Sequence, residues 1–303
     1  MKDCILEKEE YVIKEIDGEK ITVRQLQEEI LTIMDEIDRV CKKNNIPYAL
    51  HAGSALGSIN YKGFIPWDDD VDIMIDLKDY KKFVKALKKD LDQNFYFQCF
   101  DTDKKYNVLI SNMKIRKKNT YIEEENTLLK NRCKGDGIFV DVIWWSGASK
   151  YKFIDELFRL PIRIMMPIMV LLDNIHINPI PFKYLVEWIS KCYGKLFEKS
   201  GYVSQTIAYP WIKFFKQPIL KKEYIYPFKE CEFENRKFMT YNDPVQVVHT
   251  WYGPNCTKKW DGKKWVETYP IEKRKTKHVR DLNLKSDKPH KKTNMKWTKF
   301  GTL

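Results

Sequence analysis

The sequence predicts an α+β fold: a mixed β-sheet flanked by helices, with a mainly helical C-terminal part. Three observations carry this. Asp68-Asp-Asp-Val-Asp-Ile-Met-Ile75 has a period of two, with an acidic face and an apolar one. Leu26, Ile30, Ile33, Met34, Ile37, Val40 and Cys41 recur at helical spacing and form one buried stripe. Gly135-Asp-Gly-Ile-Phe-Val-Asp-Val-Ile-Trp144 reads as a turn feeding a second strand, with Asp141 set among Ile138, Val140, Val142 and Ile143.

The other elements follow in order. Thr22 with Gln25 makes a capping box that opens the first helix, and Asn44-Asn45 closes it. Ile46 to Leu50 is a short strand. Asp76 to Asp92 is a helix with Tyr80, Phe83, Val84 and Leu87 inward and many lysines outward as a solvated face. Phe95 to Phe100 and Tyr106 to Arg116 are strands joined by the polar turn 101–105. Leu157 to Asp173 is very apolar, but Pro161, Arg163 and Pro167 interrupt it and it falls short of the ~20 residues that span a bilayer. A core helix is the first reading, and a helix dipping into a membrane surface the second. Phe182 to Lys199 is an amphipathic helix, Glu230 to Met239 two short strands around Glu234-Asn235, and Asp243-Pro244 the start of a helix ending near Tyr252-Gly253. From Lys285 onward an extended tail is expected.

Composition narrows the function classes. With 303 residues, 43% of them hydrophobic and 14% aromatic, the chain buries a substantial core and is not a disordered one. The net charge of +12 is concentrated: residues 273–303 hold eleven Lys and Arg against Asp281 and Asp287, a net of +9, which leaves +3 for the remainder. A nucleic-acid-binding protein is therefore not expected, since the centre of the chain is acidic. Seven cysteines without a Cys-x-x-Cys pair speak against a disulfide framework and a zinc knuckle. The first ten residues have no apolar signal region, so a cytoplasmic location is expected, with peripheral contact on the inner membrane face as the secondary reading.

The chemistry centres on the acids. On a strand, Asp68, Asp70 and Asp72 point one way and Asp69 the other; neighbours on one face lie about 7 Å apart and repel by roughly 2 kcal/mol at an effective dielectric near 20. A divalent cation with oxygen ligands offsets that repulsion economically. The plain alternative is a solvated strand end, weakened by the apolar Ile73-Met74-Ile75 that follows. An EF-hand loop is rejected because its glycine and glutamate positions hold Ile73 and Asp79. Asp141 is either a third metal-site acid or a helix cap or core ion pair. Upstream, His51-Ala-Gly-Ser-Ala-Leu-Gly57 is a small-residue turn between a strand and a helix, where backbone N–H groups and the Ser54 hydroxyl can meet a phosphate. Lys114 and Arg116 share one face of their strand and are either diphosphate contacts or a surface pair.

Gly-Ser, then Asp-x-Asp, then an acid on a later strand is the layout of the nucleotidyltransferase superfamily. Within it, His51-x-Gly-Ser-x-Leu-Gly and Lys62-Gly-Phe-Ile-Pro-Trp-Asp-Asp-Asp-Val-Asp-Ile resemble the signature of the LicD family, which includes phosphocholine transferases and, more distantly, fukutin and fukutin-related protein. Lys114-Ile-Arg116 with Asn119-Thr120, Gly137-Ile-Phe-Val-Asp141-Val and Tyr252-Gly253 are similar to its later motifs. The likeness covers residues 25–145, and residues 230–280 loosely. It departs in having Gly53-Ser54 for the family's Gly-Thr, and Pro254 to Trp260 in place of the usual segment after Tyr-Gly.

The resemblance implies a nucleotidyltransferase-like sheet and a transferase that moves a phospho-alcohol such as phosphocholine from a CDP-alcohol donor to a hydroxyl of a glycan or lipid-linked glycan, releasing CMP, in cell-surface polysaccharide or teichoic-acid-type decoration. Asp70, Asp72 and Asp141 are the expected catalytic acids. Together with Asp68 they are the expected ligands of Mg²⁺ or Mn²⁺. Gly53, Ser54, His51, Lys62, Arg116 and Lys114 are the expected donor contacts, Arg116 ahead of Lys114. The rivals are a true nucleotidyltransferase of the same fold and a membrane-surface or nucleic-acid-binding protein with vestigial acids. The expected organisation is an N-terminal arm (1–21), a catalytic core (22–145), a helical insertion or subdomain (146–230), a part returning to the core (231–280) and a basic tail (281–303).

Overall fold

The computed structural model describes residues 11–16, 19–99, 113–124, 136–175, 177, 179–209, 212–260, 265–266 and 279–286. Gly135, the turn 101–105, residues 106–112 of the second predicted strand and the tail beyond 286 lie outside them. The fold is α+β.

A hairpin of β1 (Val12–Ile16) and β2 (Glu19–Thr22) leads into α1 (Val23–Lys43). Both capping-box bonds are present: Gln25 N–H donates to Thr22 Oγ1 at 3.3 Å and Thr22 N–H to Gln25 Oε1 at 2.8 Å. The central sheet is built from β3 (Ala49–His51), β4 (Asp72–Asp76), β5 (Phe95–Gln98), β6 (Met113–Lys117), β8 (Phe139–Gly147), β9 (Tyr202–Gln205) and β10 (Leu220–Lys221). β8 is its axis. One edge of β8 pairs in parallel with β4; the other pairs antiparallel with β6 along its first half and with β9 along its second.

The two faces of the sheet carry different cores. Leu50, Ile73, Ile75, Val140, Val142 and Trp144 pack with α1 and α3 (Tyr80–Asp90) in the larger one. Ala49, Met74, Ile143 and Trp145 face the other way. There they meet α2 (Ala52–Asn60), α6 (Lys222–Ile225) and α7 (Pro244–Tyr252), which Asp243 caps by accepting from Gln246 N–H. A third cluster joins α4 (Lys152–Asn174) to α5 (Ile180–Leu196). β11 (Lys229–Phe233) and β12 (Arg236–Thr240) form the predicted hairpin, with Glu234 and Asn235 both at positive φ, the geometry of a tight two-residue turn.

Three expectations are corrected. The strand does not begin at Asp68: it begins at Asp72, and residues 68–71 precede it as irregular chain. After Pro66 the backbone finds partners outside the sheet, because the buried Gln27 side chain donates to the carbonyls of Ile65 and Asp68 and Asp68 N–H donates to Ile65 O. The segment 146–230 is not only helical, since β9 and β10 extend the sheet. The basic tail does not start at 281: β15 (Val279–Asn283) pairs antiparallel with β7 (Tyr121–Glu124), and Leu282 is fully buried in the larger core. A short pairing of β13 (Lys259–Trp260) with β14 (Trp265–Val266) completes the described strands.

Candidate active site: an acidic row across four strands

The register of the sheet lines up four polar side chains. His51 on β3 is opposite Asp72 on β4, Asp72 is opposite Asp141 on β8, and Asp141 is opposite Lys114 on β6. Register partners on adjacent strands share a face, with backbones about 4.8 Å apart, so the four form one row on the α2 and α7 side.

Asp72 is held by its backbone, whose N–H donates to Ser54 Oγ at 3.0 Å. Burial, and then the charges of Asp70, Asp141 and Asp68, push its carboxyl well above the usual carboxylate range, and Lys114 opposes the rise. Asp141 is also raised, by burial first; Lys114 counteracts this and Glu124 adds to it. Lys114 Nζ lies 3.1 Å from Asp141 and 3.1 Å from Glu124, over the Phe139 ring at 3.2 Å from its centroid. Asp141 keeps 18% of its side chain exposed.

The irregular chain ahead of β4 brings a second acidic group beside this row. One carboxylate oxygen from each of Asp68, Asp69 and Asp70 lies within 4.8 Å of the other two. Asp69 was expected on the opposite face; with no strand to impose alternation it joins its neighbours, almost fully buried, and accepts from Val279 N–H at 3.0 Å. Gly53 lets Asp68 come close to the start of α2, since a Cβ there would meet Asp68 Oδ2 at 2.7 Å. Gly63 plays the same part at the base of the loop, where a Cβ would meet Glu234 Oε1 at 2.2 Å; that oxygen accepts from Phe64 N–H, and Arg24 pairs with the other carboxylate oxygen.

This donor set fits a hard divalent cation. It is all carboxylate oxygen, it is partly withdrawn from water, and its like charges raise the proton affinity of Asp72.

The remaining expected contacts are distributed unevenly. His51 is buried among Trp145, Trp251 and Tyr241, with Nδ1 2.6 Å from the Tyr241 hydroxyl, and burial pushes its pKa down to about 3. It is thus a neutral ring at the end of the row. Arg116 donates to Gln98 Oε1 and the Gly137 carbonyl, both at 2.6 Å, which ties β5 and β6 to the start of β8; Lys114, not Arg116, reaches Asp141. Lys62 pairs at the surface with Glu232 of β11 at 2.9 Å. Trp67 packs near the rings of Tyr11 and Tyr61, and Lys258 sits 3.9 Å over the Tyr61 ring.

Sequence reasoning overlooked a tyrosine wall. Tyr209, Tyr241 and Tyr252 all have hydroxyls pushed to higher pKa, by burial first and also by the charge of Asp72; Tyr252 further senses Asp68 and Asp70. Tyr252 had a signal in its Tyr-Gly dipeptide. Tyr209 and Tyr241 had none, because their approach depends on how β9 and α7 close over the sheet.

Residues 45–163 match the family described as LicD/FKTN/FKRP, nucleotidyltransferase domain. The chain is similar to the lipopolysaccharide cholinephosphotransferase LicD of Haemophilus influenzae, 42% identical over 65 residues, which is 22% of this chain and 24% of that one. It is also similar to uncharacterized proteins of Rickettsia typhi, 38% identical over 55 residues (18% of each chain), and Rickettsia prowazekii, 42% identical over 43 residues (14% of this chain and 16% of that one). The matched stretch spans a quarter or less of each of these relatives. The stretch that matches the model of that family's nucleotidyltransferase domain, residues 45–163, contains Asp68 to Asp72 and Asp141.

Proposed function

We propose that the protein transfers a phospho-alcohol of the phosphocholine type from a CDP-activated donor to a glycan or lipid-linked glycan hydroxyl and releases CMP. The observation that carries this reading is the row His51, Asp72, Asp141, Lys114, with the Asp68–Asp70 carboxylates beside it. The likeness to a lipopolysaccharide cholinephosphotransferase supports the choice of donor and acceptor class.

In the proposed reaction the acceptor oxygen bonds to the phosphorus that bears the alcohol. The bond from that phosphorus to the bridging oxygen breaks, CMP leaves with the bridging oxygen, and the acceptor's proton goes to a carboxylate. Phosphoryl transfer asks mainly for positioning and charge stabilisation. Asp68, Asp69 and Asp70, with Asp72 beside them, would hold the divalent ion, which when bound supplies neutralising charge to the diphosphate. Asp141, partly exposed and shifted towards higher pKa, is the acceptor for the hydroxyl proton. Lys114 keeps Asp141 oriented. Ser54 accepts from Asp72 N–H and so retains its own hydroxyl proton to donate to a phosphate oxygen near the start of α2. Tyr252, half-exposed within reach of the acids' field, lines the opening.

Product analysis by mass with a panel of CDP-alcohols and Mg²⁺ tests this. Free CMP with the phospho-alcohol on the acceptor supports it. Retention of the nucleoside monophosphate on the acceptor would instead make the protein a nucleotidyltransferase in the strict sense.

A further inference from the structure

Outside the acidic site, α4 carries apolar residues on two sides. One side of this helix is committed to the protein: Asp155, Arg159, Ile162, Met166 and Met169 are buried at intervals of three and four. Half a turn away, Leu157, Leu160, Ile164, Ile168, Leu171 and Ile175 repeat the same intervals and are 44–62% exposed. A helix apolar on both sides normally has a neighbour on both sides. Among the described residues no element covers the outer stripe.

What surrounds the stripe indicates its occupant. Phe214 and Phe215 form the exposed tip of the loop that packs along α4: Phe214 lies against Arg163, and Phe215 N–H donates to Glu156. Exposed Lys213 and Lys216 flank that tip, and exposed Lys150 and Lys152 stand just before and at the start of the helix. The two acids of the first turns, Asp155 and Glu156, are both turned inward and paired with Arg159 and Arg163. The rim is therefore basic and the centre apolar. An anionic lipid surface would neutralise these lysines while taking up the apolar centre. No helix of the described residues is long and apolar enough to cross a membrane, so the helix would lie in the interface rather than span it.

We propose that the outer stripe of α4 and the Phe214–Phe215 tip dock the protein on the surface of an anionic lipid bilayer, with α4 parallel to the membrane plane. This goes beyond the transfer reading and does not depend on it. The test is co-sedimentation of the full chain with vesicles of equal parts phosphatidylcholine and phosphatidylglycerol, against pure phosphatidylcholine. The wild type is expected to bind the anionic vesicles, more weakly at high salt. Ile164→Ser with Ile168→Ser is expected to weaken partitioning by about tenfold or more, as is Phe214→Ser with Phe215→Ser, with thermal unfolding unchanged. The second pair keeps the test valid should the first disturb the helix. Absence of wild-type binding, equal binding by both double variants, or a lipid-free dimer that the isoleucine variant dissociates would overturn the proposal.

Discussion

Asp72 and Asp141 are direct register partners on parallel strands β4 and β8, and each carboxyl is pushed to higher pKa by burial, Asp72 further by the charge of Asp141 itself. Two acids facing one another across a parallel ladder are unfavourable alone. Lys114 meets Asp141 on its outer side, and Asp68, Asp69 and Asp70 gather nearby.

A divalent cation is expected to stabilise the fold, and more so at higher pH. A carboxyl raised in the folded state contributes stability that is present below its unfolded pKa of 3.8 and is lost as pH rises through the folded value. The metal replaces that lost proton. At a hundredfold excess over its dissociation constant, Mg²⁺ is expected to add about 2.7 kcal/mol, or a few degrees in Tm. The shift should be largest near about pH 8 and shrink towards about pH 5 as protons compete for the same oxygens. Calorimetry that found the shift independent of pH would contradict this.

His51 sets an opposite trend. Its folded pKa lies near 3 against an ordinary value of 6.5, so its contribution is complete above pH 6.5 and is lost as pH falls through the interval down to 3. Within that interval the slope is up to about 1.4 kcal/mol per pH unit. The stability difference between wild type and His51→Gln, followed by denaturant titration, is expected to decline with falling pH by about one proton's worth. A flat difference would show that the ring is not kept neutral by burial.

Replacing Lys114 with Met leaves Asp141 and Glu124 without their shared cation. Breaking a buried pair in this way costs about 3 kcal/mol. Because Lys114 lowers the Asp141 pKa, its loss should move the acidic limb of the pH-rate profile to higher pH. Arg in the same position, which keeps the charge, is expected to restore most of the limb's position.

Gly53→Ala should separate stability from metal binding. A helical Ala is better than Gly by about 1 kcal/mol, so Tm is expected to hold or rise. The new methyl would lie 2.7 Å from Asp68 Oδ2, which must swing away. Mn²⁺ affinity by titration is expected to fall by about tenfold, since one carboxylate is displaced. Unchanged affinity would remove Asp68 from the donor set.

Local pattern was a good guide where neighbouring residues alone decide the structure. The capping box at Thr22, the Glu234-Asn235 turn and the Asp243 cap follow from side chains reaching a few residues along the chain. The strands holding Asp72 and Asp141 were legible because Ile73 to Ile75, and Val140, Val142 and Ile143, are buried. Asp68 to Asp70 continued the same alternation in sequence but not in space, because a side chain from α1, Gln27, holds the loop. The row of four depends on strand register, which no single strand reveals. Lysine-rich flanks hid Val279 and Leu282, whose partner strand lies more than 150 residues earlier.

The most direct test of the account is CMP release from a CDP-alcohol by the wild type, Asp72→Asn and Asp141→Asn, each with and without Mg²⁺. Removing charge from Asp72 also relieves repulsion, so the folded state should survive, with Tm in the absence of metal equal to wild type or higher. Metal-dependent turnover is expected in the wild type, with a loss of about a hundredfold or more in either variant. Turnover by Asp72→Asn within tenfold of wild type would contradict it.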